Sequence, residues 1–461
     1  MTNRPRILII GAGLAGMAAA VALESTNASV TLLEARRTLG GRAGSFEDPQ
    51  TGEELDNCQH VLLGCCTNLM DFYKRINVTH LIRWEPNVHF VDKHGHFHTL
   101  SATPHLPAPL HLAASMAKLR LLTLPERIAF ARGMITMMQL GREGRENLSG
   151  IPFGQWLDDQ KQSADLVRKL YDPILISALN EESRAASASC AIQVFQEAML
   201  AHSAGYPLGL PNCPLSQLYA SLPVKDVRLG TRVATLNFTN NTVTGATLTT
   251  GESIQADAVI LATNHHTVSK WIDPSRAATD PRFAQLDQLE DVPILGAHLW
   301  FDRPVLTHSH AALIEGPLQW LFRKDATGHA VHGVISAARS WLNTPREQAL
   351  AQFTTQIQST FPHAREAKLI RGVVVIEKRA TFSPAPKHEN NRPQQSPPQG
   401  GINRLYLAGD YTKTNWPATM EGAVRSGYLA ATAIAKKFLQ GTHTFLRADL
   451  PTQWPAKFLG L

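Results

Sequence analysis

The sequence predicts an α/β protein with a Rossmann-like dinucleotide-binding domain, made of a parallel sheet plus an antiparallel meander, joined to an α+β lobe. Three observations predict it. Residues 6–42, RILIIGAGLAGMAAAVALESTNASVTLLEARRTLGGR, read as strand, glycine turn, Ala-rich helix, second strand and acid. Residues 224–262 alternate apolar and polar side chains between turn residues. Near the far end, Leu405 to Gly409 and Asp410 read as a strand closing on Gly-Asp, with a helix after it. A nucleotide domain assembled from both ends of one chain accounts for all three.

Each element follows from its residues. Arg6 to Ile10 is a short apolar run ending in glycine, the pattern of a parallel strand buried on both faces. Gly11 permits the tight turn, Gly13 lets backbone amides approach a pyrophosphate, and Gly16 lets the helix lie close on the strand. Leu14 and Ala15 open that helix, whose N-terminus presents positive dipole to phosphate. Glu34 ends the strand Ser29 to Leu33 at the spacing of a carboxylate that binds a ribose 2′-hydroxyl, and Ala35 and Arg36 follow it.

The run then reaches Gly40-Gly41-Arg42, which resembles the extension found in the superfamily of flavin-binding amine oxidases and carotenoid desaturases. That resemblance implies FAD as cofactor, an amine oxidase-like fold, and Gly41 and Arg42 beside the pyrophosphate. It also implies that Leu55 to Gly64, LDNCQHVLLG, passes the isoalloxazine ring, which makes Gln59 and His60 the candidate catalytic residues. Further implied FAD contacts are Val233 after the Gly-Thr-Arg turn, Thr263 at the end of the strand Val259 to Leu261, and Gly409, Asp410, Met420, Glu421 and Ala423 in the C-terminal motif. A helix N-terminus at that last position favours negative charge on a reduced flavin.

Between these motifs the character changes. VHFVDKHGHFHTL reads as a hairpin turning near Gly95. Pro104 to Leu140 is rich in Leu, Met and Ala, is interrupted at Pro125, and carries Lys118, Arg120, Arg127 and Arg132. Such helices can pack on a core with a basic solvated face, or lie in a membrane interface with cations at the headgroups. The reading adopted combines them: the helices cap a lipid-binding cavity and part of them touches the membrane. Asp172, Glu181 and Glu182 fall in the following helical region, as candidate acids or as caps. Pro293 to Phe301, Val331 to Ala337 and Leu369 to Ala380 read as further strands, and Ser383 to Gly401 as a Pro, Gln and Asn-rich linker.

The boundaries expected are 1–80, 206–290 and 400–440 for the FAD-binding domain, 81–205 and 291–383 for the substrate lobe, and 384–400 for an exposed linker. A chain of 461 residues is too long for one core of ordinary size. Its composition, 44% apolar and 18% charged, is that of a folded globular protein. No run of about 18 apolar residues suggests a spanning helix, and a strand beginning at Arg6 leaves no room for a secretory leader. The five cysteines lack CxxC spacing and read as reduced thiols, hence a cytoplasmic protein. No metal site is expected; His94, His96 and His98 suit a hairpin turn better than a ligand set. A net charge of +6 permits attraction to anions. With no nucleic-acid module in sight, nucleic acid is not expected as a partner, and the inner face of the cytoplasmic membrane is.

Three stretches, GGRAGSF, LDNCQHVLLGCCTNLMDFYKRI and LYLAGDYTKTNWPATMEGAVRSGYLAA, together resemble the hydroxysqualene dehydroxylase family, with Cys58 standing where glycine is common. The resemblance runs over nearly the whole chain. It implies FAD-dependent removal of an allylic hydroxyl from hydroxysqualene, a long-chain isoprenoid, to give squalene in bacterial squalene and hopanoid biosynthesis. The alternatives are a carotenoid or phytoene-type desaturase, an amine oxidase, and a non-catalytic isoprenoid carrier. No second nucleotide fingerprint marks a nicotinamide site, so the electron donor stays open, as does the oligomeric state.

Overall fold

The computed structural model describes residues 4–439 and 443–461. At its centre lies a five-stranded parallel sheet in the order Asp226–Arg228, Ser29–Leu33, Arg6–Ile10, Ala258–Leu261, Leu405–Leu407. Successive side chains of a strand point to opposite faces, and here both faces are covered. Ile7 and Ile9 pack with the helix Leu14–Glu24, whereas Leu8 and Ile10 pack with the meander Val233–Thr239, Thr242–Leu248 and Ser253–Gln255. That double burial explains an apolar run without alternation. The last strand, Leu405–Leu407, pairs with Ala258–Leu261, so the C-terminal motif ends in the sheet that carries the first glycine turn.

Small residues let the layers touch. A Cβ on Gly16 would fall 1.9 Å from the Gly11 carbonyl oxygen, and one on Gly427 would fall 2.2 Å from that of Ala15. The helix Met420–Phe438 therefore lies directly on the first helix, and both are buried along most of their length.

A seven-stranded mixed sheet forms the second layer system, in the order Leu369–Phe382, Asp291–Phe301, Ala330–Ile335, Trp320–Arg323, His310–Leu313, Asn87–Val91, Phe97–Ser101. The expected hairpin supplies its last two strands, and Gly95 takes the left-handed backbone (φ +78°) that the turn requires. Helices Leu110–Lys118, Leu124–Glu146, Phe153–Asp159, Asp172–Leu179 and Ala188–Phe195 make up the helical part. Pro125, expected to interrupt a helix, stands instead in the first turn of one. There its missing N–H costs nothing, and Thr123 and Glu126 form a capping box around it.

Residues 384–400 are not exposed throughout, although 398–400 are. His388, Arg392 and Gln395 are buried. Arg392 donates through Nη2 to the carbonyls of Asp410 (3.0 Å), Thr412 (2.7 Å) and Trp416 (2.8 Å), and Gln395 donates to Thr412 Oγ1 (3.0 Å) and the Lys413 carbonyl (2.8 Å). The polar composition is that of a segment whose long side chains satisfy the carbonyls of an irregular turn, because buried backbone groups need partners that no ladder supplies there. The segment thus buttresses the loop that follows Gly409.

Candidate active site

The glycine turn is built as its residues demand. Gly11 has φ +106°, and a Cβ there would fall 2.6 Å from the Ala262 carbonyl oxygen and 3.2 Å from Thr263 Cγ2. Gly13 has no neighbour within 4 Å of its Cβ position, while Gly41 (φ +61°) lies with its own Cβ position 3.2 Å from Gly13 Cα. Gly40 N donates to the Ala12 carbonyl at 3.0 Å, which ties the Gly-Gly-Arg loop to the turn. Leu14 and Ala15 occupy the first helical turn beside it.

Glu34 accepts from Ala12 N and from Arg36 N, both at 2.8 Å, and so stands at the mouth of the glycine turn. The Thr231 and Gly230 amides donate to the carbonyls of Glu34 and Arg36, both at 2.8 Å. These bonds bring Glu34, Ala35, Arg36 and the turn before Val233 to one edge of the sheet. Thr263 lies against Gly11, and its buried hydroxyl has no partner within the protein. An open backbone at Gly13, an acid at the end of the second strand and an orphan hydroxyl beside the turn fit the pyrophosphate and ribose of a dinucleotide.

The two ends of the chain meet in one ion pair. Arg42 donates through Nη1 and Nη2 to the two Asp410 carboxylate oxygens at 2.9 and 2.6 Å, and through Nη1 to the Ala380 carbonyl at 2.6 Å. Burial works against the Arg42 charge, but the Asp410 carboxylate outweighs it and the guanidinium pKa is raised. Gly409 N donates to Ser426 Oγ at 2.8 Å, and Thr419 caps the helix that Met420 opens by accepting from Gly422 N. Ala423 is buried in the first turn of that helix.

Glu421 is turned elsewhere. Its carboxylate accepts from Asn68 N (3.1 Å), Asn68 Nδ2 (2.9 Å) and Leu69 N (2.7 Å) at the start of the helix Thr67–Arg75. Its side chain is therefore used as a cap, and only its backbone is available to a cofactor.

Gln59 and His60 lie on the segment that runs between the Gly-Gly-Arg loop and the mixed sheet. His60 Nδ1 donates to the Cys58 carbonyl at 3.0 Å, which fixes the neutral tautomer and leaves Nε2 as the nitrogen able to exchange a proton. Burial lowers the His60 pKa, the Cys58 and Asp56 contacts raise it, and the Arg42 charge lowers it further, with a net downward shift. Gln59 donates to the His60 carbonyl and accepts from Lys324 Nζ, both at 3.2 Å.

Two residues that sequence reasoning missed complete this corner. His298 and His332 are cross-strand partners in the mixed sheet, with ring centroids 4.0 Å apart. His298 Nε2 is 2.9 Å from the Asp56 carbonyl, and His332 is fully buried with neither ring nitrogen bonded. Burial pushes the His332 pKa well down, helped by the charges of His298, Lys324 and His60. The signal for both was a histidine inside an otherwise apolar strand.

The candidate acids of the helical region divide. Burial works against the Glu181 charge, but Arg339, paired with it at 2.7 and 2.8 Å, holds its pKa below the ordinary value. Asp172 has its pKa raised by burial, and its carboxylate accepts from the Ser183 hydroxyl.

The profile of the family described as flavin containing amine oxidoreductase matches residues 14–435. The 15-cis-phytoene desaturase of Arabidopsis thaliana is 27% identical over 465 residues, covering 94% of this chain and 80% of that one. The hydroxysqualene dehydroxylase of Zymomonas mobilis is 28% identical over 438 residues, covering 92% of this chain and 97% of that one. Among solved structures, putrescine oxidase bound to putrescine superposes with a TM-score of 0.68 at 16% identity, over 94% of this chain and 99% of that one, a likeness of fold alone.

Proposed function

We propose, from the premise that the chain belongs to the flavin containing amine oxidoreductase family and is an FAD-dependent oxidoreductase, that its reaction is the reductive dehydroxylation of hydroxysqualene to squalene. The end-to-end match to a hydroxysqualene dehydroxylase carries the reading. When bound, the flavin supplies hydride from N5. In this proposal Gly11, Gly13, Leu14, Ala15, Gly16, Gly41 and Arg42 hold the pyrophosphate, Glu34 with Ala35 and Arg36 the ribose, Val233 the adenine, and Thr263, Gly409, Asp410, Met420, Glu421 and Ala423 the remainder. The substrate C–O bond breaks as its oxygen takes a proton and leaves as water, and the allylic carbon takes the hydride. One proton is consumed per turnover, so an acid or a bound water near the leaving oxygen must deliver it. His60 can, from Nε2 of its imidazolium, with Gln59 fixing the backbone beside it. The surrounding apolar lobe, residues 81–205 and 291–383, keeps water from the cation.

A second reading, a desaturase, is supported by the equally long match to a 15-cis-phytoene desaturase and by one observation of the structure. Burial keeps His60 predominantly neutral, and a neutral Nε2 accepts a proton rather than giving one. That suits a desaturase, in which hydride leaves the substrate and a neighbouring C–H loses its proton.

Anaerobic reduction with dithionite followed by hydroxysqualene separates the two. Reoxidation of the flavin with stoichiometric squalene is expected. A flavin that stays reduced with hydroxysqualene, but in its oxidised form bleaches with a more saturated polyene precursor, would transfer the assignment to a desaturase.

The isoprenoid would reach the site from a membrane surface in this reading. No helix of the described residues is long and apolar enough to cross a bilayer. Leu110, Leu124, Ile128 and Ile135 are nevertheless exposed on the helices that follow Pro104, and Trp454 (71% exposed) and Phe458 (86%) on the C-terminal helix. That helix is seated beside them: Gln453 Oε1 accepts from Ala108 N at 2.5 Å, and a Cβ on Gly460 would fall 3.1 Å from Gln139 Cα. A cleft of about 370 Å³ lined by Thr103, Leu106, His111, Tyr206 and Gln453 opens next to them. Each buried aromatic is worth about 1.5–3 kcal/mol, so the double change Trp454→Ser and Phe458→Ser is expected to weaken flotation with anionic liposomes more than tenfold. Removing Lys118, Arg120, Arg127 and Arg132 should weaken it in a salt-dependent way; flotation unchanged by both sets would exclude this face.

A further inference from the structure

Outside the residues assigned above, His265, His266 and Asp291 bring one nitrogen or oxygen each within 4.8 Å of one another. The two histidines open the helix His265–Trp271, directly after the nucleotide-binding strand Ala258–Leu261, and Asp291 begins the long strand Asp291–Phe301 of the mixed sheet. The cluster therefore stands where the chain leaves one sheet system for the other.

Its hydrogen bonding is incomplete. His266 Nε2 lies 2.6 Å from Asp291 Oδ2 and is satisfied, but His265 Nε2 lies 3.8 Å from Asp291 Oδ1, beyond hydrogen-bond reach. His265 is 4% exposed and its Nε2 has no partner within the protein. A buried ring nitrogen left without a partner, facing a carboxylate oxygen across that gap, is satisfied when a cation or a water lies between them.

We propose that His265, His266 and Asp291 form a site for a divalent transition-metal cation of the zinc type, clamping the nucleotide-binding sheet to the strand that leaves it. Two imidazoles and one carboxylate suit zinc and its neighbours rather than magnesium or calcium, and three protein ligands leave a fourth position for water. Arg379 Nε approaches Asp291 Oδ2 at 3.5 Å, but its side chain is 57% exposed and can yield to solvent as the metal binds. Asp410 adds negative potential at His265. His266, 30% exposed, gives the cation its way in. Spacing in the sequence could not show this set, because its third ligand comes from another strand.

The test uses FAD-loaded protein dialysed against a chelator, then equilibrated with Zn²⁺ and counted by plasma mass spectrometry, with flavin content followed by its visible absorbance. The expected result is a single equivalent of zinc that Asp291→Asn loses and that His266→Gln weakens about tenfold or more, at undiminished flavin content. A control at the exposed hairpin, His96→Gln, should leave that equivalent in place. If Asp291→Asn fails to fold, His266→Gln at the partly exposed ligand carries the comparison. Wild type binding no more zinc than both variants, or binding it only as FAD is released, overturns the proposal.

Discussion

Replacing His60 by Ala is expected to lower the rate of the reductive step by about 10²–10⁴-fold, the usual contribution of a positioned proton donor, with FAD retained. The cofactor should stay because the ring is hydrogen-bonded to the Cys58 carbonyl, outside the glycine turn and the Arg42–Asp410 pair. The pH profile gives the sign of the chemistry. Burial shifts the His60 pKa below the ordinary histidine value, so the imidazolium exists mainly in acid. If it gives the proton, the rate is level at pH values below that pKa and falls about tenfold per pH unit above it. If the neutral ring takes a proton, as a desaturase requires, the rate rises with pH and then levels. His60→Gln keeps a polar side chain that cannot titrate, and its profile should lose that limb in either case. A His60→Ala enzyme with undiminished turnover would move the donor elsewhere, and Asp172, with its pKa raised by burial, is the carboxyl to change next.

What the sequence could reveal followed from how local each signal is. Gly11, Gly13 and Gly16 act within one turn, and their spacing between a strand and a helix is enough to identify it. Glu34 could be read from its distance to that turn, and Arg42 only from the resemblance of Gly-Gly-Arg to the flavin-binding family. The strand ending at Gly409 and Asp410 and the helix after it could be read from the residues, but their cofactor role only from the resemblance to that family. Side-chain direction was not. Nothing in the order of residues says that Glu421 turns away to cap the helix at Thr67, or that His298 and His332 face each other, since strand register is settled by pairing between distant segments. The error at 384–400 has a different source. Pro, Gln and Asn are as suited to satisfying buried carbonyls as to meeting water, so composition alone could not tell a buttress from a linker, and Arg392 and Gln395 are buttresses.

The Arg42–Asp410 pair joins both ends of the chain at the proposed cofactor site, and its two members should respond unequally to removal. The Asp410 side chain is 8% exposed and that of Arg42 38%. Arg42→Ala leaves a buried carboxylate without its counter-charge, a loss of about 3 kcal/mol when a buried pair is broken, and it also releases the Ala380 carbonyl. The variant is expected to be isolated largely without flavin and to melt well below the parent. Asp410→Asn leaves the charge on the member that reaches solvent, so its cost in stability should be smaller, although it too should bind FAD less tightly. Arg42→Lys should recover part of the stability but little of the affinity, because an ammonium cannot bridge both carboxylate oxygens while holding the Ala380 carbonyl. Flavin content after gel filtration and the melting temperature of each variant measure the two effects separately. Equal losses of stability in Arg42→Ala and Asp410→Asn would show that the pair works through mutual attraction alone and not through the burial of Asp410.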